Sequence, residues 1–491
     1  MAIPASARIL TVVVGAALFL CCRAVDVPFA TCSTTDALGV SKVVMSEWPL
    51  HPGHPVTLSV AFSPLQDIVL GTQLTAKVFI QNMQVFEHSV DMCSETSLTC
   101  PLKAGEDMQV SASQTLPEGI PPVSGLKVVV QATDDTGVIS CIEVELELAV
   151  GEYSLDHLSR LSAIDSALVT DILMAGTTWT PHFSPRFAGA TLKQAQGLMG
   201  TWLRGHPLHM TLKLKEIVMG PAALNGENVT IPEVFDAREA WPECAELIGR
   251  VKDQSACGSC WAFASSAAFE DRMCIAHGSK DLLSPTDTLA CCTGMACGFS
   301  QGCNGGQPAG AWSFFASQGV VSGGLFEEVG TGTTCMPYPF LTCAHHVEPT
   351  EELPACPAED FETPRCRHTC SEELYEENYS ADKRMAKHGY SVSANVEEIQ
   401  KEIMESGPVS AAFTVYQDFL TYSGEGVYQH VTGAPLGGHA VKLIGWGSDN
   451  GTPYWLVVNS WNKAWGDEGL FRIIRGQDEC GFESDITAGS V

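Results

Sequence analysis

Along residues 25–150, apolar and polar positions alternate with a period of two. In "PVTLSVAF", Val56, Leu58, Val60 and Phe62 share one face, and in "CIEVELEL", Ile142, Val144, Leu146 and Leu148 stand opposite Glu143, Glu145 and Glu147. Such alternation predicts strands with one face on a core. "GLKVVVQATDDTG" predicts a further strand running into a polar turn, so a β-sandwich is expected over residues 25–150. After Gly151 the period changes. Leu158, Leu161, Ile164, Leu168 and Ile172 follow helical spacing, and Thr191 with Gln194 is placed as a capping box before a second helix. Residues 204–230 read as extended and rich in turns. A cysteine-rich region of about 260 residues begins near Ile231, within "NVTIPEVFDAREAWPEC".

Length agrees with this division, since roughly 150 residues per domain makes a chain of 491 about three domains. Four segments follow: a leader at 1–24, the sandwich at 25–150, a helical segment at 151–230 and the cysteine-rich region at 231–491. The leader has Arg8, an apolar run from Ile9 to Leu20 and the small residue Ala24, which is the form of a secretory signal and too short for a membrane span. No later segment is apolar for long enough to span a bilayer. The formal charge is −30, and no Lys/Arg cluster of the kind that grips phosphate backbones is present, which argues against a nucleic-acid partner.

Loss of the leader would remove Cys21 and Cys22 and leave eighteen of the twenty cysteines in an oxidising compartment, where such density means structural disulfides. Zinc is a poor reading of Cys291, Cys292 and Cys297, which lack a second CxxC or histidines at finger spacing, and neither metal nor cofactor is expected. Cys93 and Cys100 are close enough to close a small loop, and Cys32 and Cys141, near the two ends of the segment, are placed to staple its first and last strands. Sequons at Asn228, Asn378 and Asn450 fit a secreted surface.

The stretch "QSACGSCWAF" reads in three ways: a redox pair, half a metal site, or a nucleophile beside a disulfide. Cys260 precedes the alanine-rich "WAFASSAAFEDRM", which predicts a helix whose positive end lowers a thiol pKa. Gln254, six residues upstream, offers a side-chain amide that, with the Cys260 backbone N–H, would hold an oxyanion. "GGHAVKLIGWG" supplies His439 entering an apolar strand, and "YWLVVNSWNKAWGDEG" supplies Asn459 to orient the imidazole and Trp461 to cover that contact.

These residues, with "FDAREAWPEC", "GCNGGQPAGAWSF" and "VYQHVTGAPLGGHA", make residues 231–491 resemble the cathepsin B group of papain-like cysteine peptidases. The resemblance implies an α+β fold of two lobes, one helical and one a β-barrel, made as a zymogen and acting as endopeptidase and peptidyl-dipeptidase. His439 lies 179 residues beyond Cys260 and Asn459 lies 199, more than the roughly 130–150 of such enzymes in general, so something is inserted. By resemblance the insertion is an occluding loop at about 335–370. On it His345 and His346 would pair with a substrate's C-terminal carboxylate, and Asp253 would hold His345. The stretch "VEPTEELPAC" carries three acids and no arginine, which implies a loop that opens more readily. Gly305 and Gly306 resemble a backbone rail for substrate, and Asp485 falls where related enzymes place a glutamate in a specificity pocket. The resemblance further implies the pairs Cys244–Cys274, Cys257–Cys303, Cys291–Cys366, Cys292–Cys297, Cys335–Cys370 and Cys343–Cys356, leaving Cys260 and Cys480 as thiols.

"TTWTPHFSPRFAGATLKQAQGLMGTWL" resembles a cathepsin B propeptide, which would block the cleft with its chain reversed until acid releases it near Ile231. The sandwich resembles the ML (MD-2-related, Niemann-Pick C2-like) family of immunoglobulin-like lipid-recognition domains. Cys32–Cys141 and Cys93–Cys100 match that family, while the pair expected in "MSEWPLHPGH" is missing. A sealed immunoglobulin-like core would alternate in the same way. The expected protein is a monomeric peptidase of the secretory pathway, in an acidic vacuole, lysosome or outside the cell, acting on peptides and proteins and carrying a domain for a sterol, another lipid, or sorting. The alternatives are a lipid-transfer protein with a silenced peptidase, and a peptidase with a purely structural sandwich.

Overall fold

The computed structural model describes residues 25–33, 35–48, 50, 55–68, 71–80, 83–94, 98, 100–115, 126–146, 149–150, 153–154, 161–203, 215–217, 230–344, 347–357 and 361–491. Two compact units emerge, Met1–His157 and Leu158–Val491. The leader, Leu148, Leu158 and most of 204–230 lie outside the described residues.

In the first unit, alternation becomes two antiparallel sheets. One runs in the order Val25–Asp26, Val40–Met45, Pro55–Phe62, Met108–Thr115, and the other in the order Ala30–Thr31, Gly137–Leu146, Leu126–Asp134, Gln73–Ile80, Met83–Asp91. Register puts Val60 opposite Val110, Leu74 opposite Ala132, and Val130 opposite Ile142. Phe62, Met108 and Val110 of one sheet meet Leu74, Ala132 and Ile139 of the other in a shared core, so the sheets face each other. Farther along the same inward faces, Leu58, Val78, Val128 and Val130 are only partly buried. Cys32–Cys141 and Cys93–Cys100 are disulfides.

The second unit opens with residues 161–203. Among the described residues, the helical spacing of Leu161, Ile164, Leu168 and Ile172 gives a helix only over Ser166–Ala175, because Asp165 caps it by accepting from Leu168 N–H, and Gly176 stops it in the left-handed region at φ 67°. Leu161 and Ile164 therefore precede it. The Thr191–Gln194 capping box forms, but Gly197 confines its helix to Leu192–Gln196. Strand Trp179–Pro181 pairs antiparallel with Tyr422–Gly426.

The remainder combines helices with an eight-stranded sheet. Its order is Lys215–Ile217, His388–Val392, Ile486–Ser490, Val409–Tyr416, Pro435–Asp449, Thr452–Val458, Leu470–Ile474, with Phe235–Asp236 beside Pro435–Asp449. Helix Cys260–His277 is buried for most of its length, consistent with its even alanine and aromatic content. Its Trp261 and Phe269 share a core with Trp312 and Phe315 of helix Pro308–Ser317 and with Ala412 and Ala440 of the sheet, which seats the helix against strand Pro435–Asp449. Gly278, at φ 71°, ends it.

Candidate active site

Cys260 is the first residue of the long helix and is fully buried. Burial pushes its thiol pKa up; Thr201 Oγ1, 3.2 Å from Sγ, and the backbone N–H groups of Ala440, Gly200 and Trp261 pull it down. His439 sits in strand Pro435–Asp449 opposite Phe413. Its Nε2 lies 2.8 Å from Asn459 Oδ1. An amide oxygen only accepts, so Nε2 carries the proton and Nδ1 of the neutral ring is left as a base. Nδ1 is buried without a hydrogen-bond partner among the described residues. Burial lowers the His439 pKa to about 4, with Asn459 opposing.

Asn459 follows strand Thr452–Val458 directly. Its N–H donates to Gly469 O at 2.9 Å, and its Oδ1 also accepts from Ser460 N–H at 2.8 Å. Trp461 lies over His439 with ring centroids 4.9 Å apart and is walled by Phe419 and Trp465. Gln254 is fixed at both ends: Ser460 Oγ donates to its Oε1 at 2.8 Å, and its own Nε2 donates to Cys257 O at 2.9 Å and to Leu198 O at 3.0 Å.

Residues 198–203 lie across this cluster. Gly306 N–H donates to Gly200 O at 2.9 Å, Trp202 N–H to Gly306 O at 3.1 Å, and Thr201 N–H to Gly438 O at 3.0 Å. Gly306 thus pairs with an extended strand. A Cβ there would meet the Trp261 ring at 2.5 Å, and Gly305, at φ 111°, needs glycine for its backbone. Gly200 passes so close to the loop before Cys260 that an added Cβ would fall 1.8 Å from Gly258 O. Sequence reading had no local signal for Leu198 or Thr201 as partners of Gln254 and Cys260, nor for Ser460 and Tyr338, whose hydroxyl donates to Gln254 O at 2.7 Å.

Asp253 is buried beside the loop that leads to Cys260. One oxygen accepts from Ser255 N–H at 2.6 Å; the other accepts from Cys343 N–H at 3.1 Å and Asn462 Nδ2 at 2.9 Å. Cys343 pairs with Cys356, so Asp253 and Asn462 hold one end of the loop that this disulfide closes. His345 and His346, expected on that loop, lie outside the described residues. Asp485 is partly buried ahead of strand Ile486–Ser490. Its carbonyl accepts from the N–H of Ala412, which shares a core with Cys260. Asn378 and Asn450 are exposed, Asn450 at a hairpin tip with φ 49°; Asn228 lies outside the described residues.

Cys244–Cys274, Cys257–Cys303, Cys291–Cys366, Cys292–Cys297, Cys335–Cys370 and Cys343–Cys356 are disulfides, and Cys260 and Cys480 are thiols. Cys291, Cys366 and His368 lie within metal-binding reach of one another, but the two sulfurs are already bonded, so the group does not fit an ion.

A buried thiol at a helix start, an imidazole with a free Nδ1, and an amide that meets a carbonyl oxygen are the parts of acyl transfer to sulfur. Comparison with known proteins agrees. Residues 231–490 match the papain family cysteine protease model, and residues 26–148 match the ML domain. The chain is 45% identical over 316 residues to cathepsin B-like cysteine proteinase 6 of Caenorhabditis elegans, covering 63% of this chain and 79% of that protein. It is 47% identical over 266 residues to a cathepsin B-like cysteine proteinase of Schistosoma japonicum, covering 54% and 74%. Among solved structures, proCathepsin B S9 from Trypanosoma congolense matches with TM-score 0.56 and 32% identity, covering 67% of this chain and 99% of that one. The chain belongs to the papain family of cysteine proteases and is a cathepsin B-like member carrying an ML domain.

Proposed function

We propose that Cys260 attacks the scissile carbonyl as a thiolate after His439 Nδ1 takes its proton. Asn459 holds the ring in that tautomer under the cover of Trp461. Gln254 Nε2 and the Cys260 N–H stabilise the oxyanion, and His439 returns the proton to the leaving amine. Gly305 and Gly306 carry the substrate backbone, and Asp485 borders its specificity pocket. His345 and His346, on an occluding loop at about 335–370 anchored by Asp253, receive C-terminal carboxylates. The products are those of an endopeptidase and of C-terminal dipeptide removal.

The chain is organised as a leader at 1–24, a sandwich at 25–150, a helical prosegment at 151–230 and a two-lobed enzyme from Ile231. The prosegment reading rests on one observation: Leu198 O occupies the Gln254 amide while Thr201 Oγ1 caps the Cys260 thiol. The nucleophile and the oxyanion donor are thus both engaged by the chain itself. The family position and the procathepsin neighbour agree with synthesis as a zymogen.

The sandwich takes a lipid between its sheets, a reading supported by the incompletely buried inward faces of Leu58, Val78, Val128 and Val130. Among the described residues no helix is long and apolar enough to cross a membrane, and a monomer in an acidic compartment of the secretory pathway or outside the cell fits the composition. The test is acid treatment of the full chain, N-terminal sequencing of the product, and mass spectrometry of a peptide with a free C-terminus. A new start near Ile231 with dipeptides released from the C-terminus supports the reading; an unprocessed chain, or release that is unchanged by thiol blocking, overturns it.

A further inference from the structure

Cys260 and His439 ride on two elements that lie along each other, the helix Cys260–His277 and the strand Pro435–Asp449. On the helix-facing side of the strand, Ala440 packs in the core that holds Cys260 and Ala264, and Ile444 packs with Cys274 near the far end of the helix. Lys442 takes the alternate position between them. Its side chain is 2% exposed and its Nζ lies 2.8 Å from Asp271 Oδ2, which is fully buried. Asp271 follows Cys260 by eleven residues, about three turns, and so returns to nearly the same face of the helix. A second buried pair, Lys252 Nζ to Glu270 Oε1 at 2.6 Å, stands beside it, so the four charges balance.

Packing does not close this seam. A cavity of about 20 Å³ remains, bordered by Ala264, Ala267, Ala440, Lys442 and Asn459. Asn459 Nδ2 has no hydrogen-bond partner there, while Lys442 Nζ donates to Leu247 O at 3.2 Å and stands 2.8 Å from Asp271 Oδ2 as an ion pair. Ladders to Val409–Tyr416 and Thr452–Val458 fix the strand within its sheet, so what side-chain contacts across the seam can set is where that sheet seats on the helix. The attraction between Lys442 and Asp271 is such a contact, and fixing register is the best-attested use of a buried charge pair.

We propose that Lys442 and Asp271 are positioning residues, which set the register of the His439 strand on the Cys260 helix and so the alignment of thiol and imidazole. The proposal builds on the catalytic roles given above, and its test reads the thiol directly as well as turnover. The acid-processed full-length protein is compared with Lys442→Met/Asp271→Leu, which removes both charges at similar volume, with Lys442→Arg, and with Asp271→Glu, which keeps the charge but adds a methylene. Readouts are kcat and KM on a peptide reporter, and the pH profile of Cys260 carboxamidomethylation by iodoacetamide.

With near-UV circular dichroism unchanged, the double variant is expected to lose about tenfold in kcat with KM within twofold, and to shift the alkylation profile. Lys442→Arg, which keeps the charge, should retain the wild-type kcat and profile. A folded double variant with wild-type kcat and profile overturns the proposal. If the double variant does not fold, Asp271→Glu decides: a lowered kcat with a shifted profile supports the pair, and wild-type values for both overturn it. Absence of turnover in the wild type would count against the catalytic roles, while the alkylation profile would still read the pair.

Discussion

Gly200→Ala tests how residues 198–203 hold the site closed. A Cβ on Gly200 would lie 1.8 Å from Gly258 O, backbone against backbone, so the two chains must part by about 1.2 Å before that contact reaches even 3.0 Å. Four hydrogen bonds tie this stretch to the cleft: Gly306 N–H to Gly200 O, Trp202 N–H to Gly306 O, Thr201 N–H to Gly438 O, and Gln254 Nε2 to Leu198 O, at 2.9–3.1 Å. At about 1 kcal/mol each, losing two or three weakens the closed state by about 2–3 kcal/mol and raises the open fraction roughly 30- to 150-fold. The assay is the rate at which iodoacetamide modifies Cys260 in the unprocessed chain at neutral pH, followed by peptide mass spectrometry to separate Cys260 from Cys480. The variant should react at least tenfold faster. Once processed it should match the wild type in kcat/KM, because the proposed cleavage near Ile231 would remove residue 200. Equal alkylation rates before processing would refute the reasoning.

Asn459→Ala removes the 2.8 Å bond to His439, and the loss of about 1.5–3 kcal/mol predicts a fall in kcat of roughly 10- to 150-fold at little-changed KM, read by steady-state kinetics. Gln254→Ala should cost roughly 10²–10³ in kcat, with Cys260 alkylation retained in the processed enzyme. Asp253→Ala frees the N–H of Cys343 and the amide of Asn462 at the root of the proposed occluding loop, so the ratio of internal cleavage to C-terminal dipeptide release should rise in a paired-substrate assay. Burial, opposed by Lys442 and Lys252 and aided by Glu270, pushes Asp271 up to about 6 from the usual 3.8. A raised acid stabilises the fold fully below its unfolded pKa and loses that contribution as pH rises through about 6. Thermal midpoints of wild type relative to Asp271→Asn should therefore decline between pH 4 and pH 7, and a constant difference would contradict the shift.

The strand pattern was the most legible part of the chain. "PVTLSVAF" is strand Pro55–Phe62 throughout, because period two depends only on which face meets the core. The helix at Cys260 was legible from its alanine content, and its end at Gly278 needed only a left-handed glycine. Leu161 and Ile164 keep a helical spacing yet lie outside the helix, because such a spacing of apolar residues can continue through a capping position: Ile164 is buried ahead of Asp165, where the backbone is still extended. Gln254, Cys260, His439 and Asn459 stood out by residue type and neighbours. The contacts of Ser460 with Gln254, Asn462 with Asp253 and Lys442 with Asp271 span 206, 209 and 171 positions, and no local pattern carries such pairs. Thr201 was illegible for the same reason, being a small polar residue whose meaning arises only where the cleft closes on it.

Hydrolysis of an arginine-arginine reporter by the acid-treated full chain, with Cys260→Ala alongside, tests the central claim most directly. The account predicts thiol-dependent hydrolysis that appears only after acid treatment and is absent from the variant. Hydrolysis by the variant at the wild-type rate, or none by the acid-treated wild type, would contradict it.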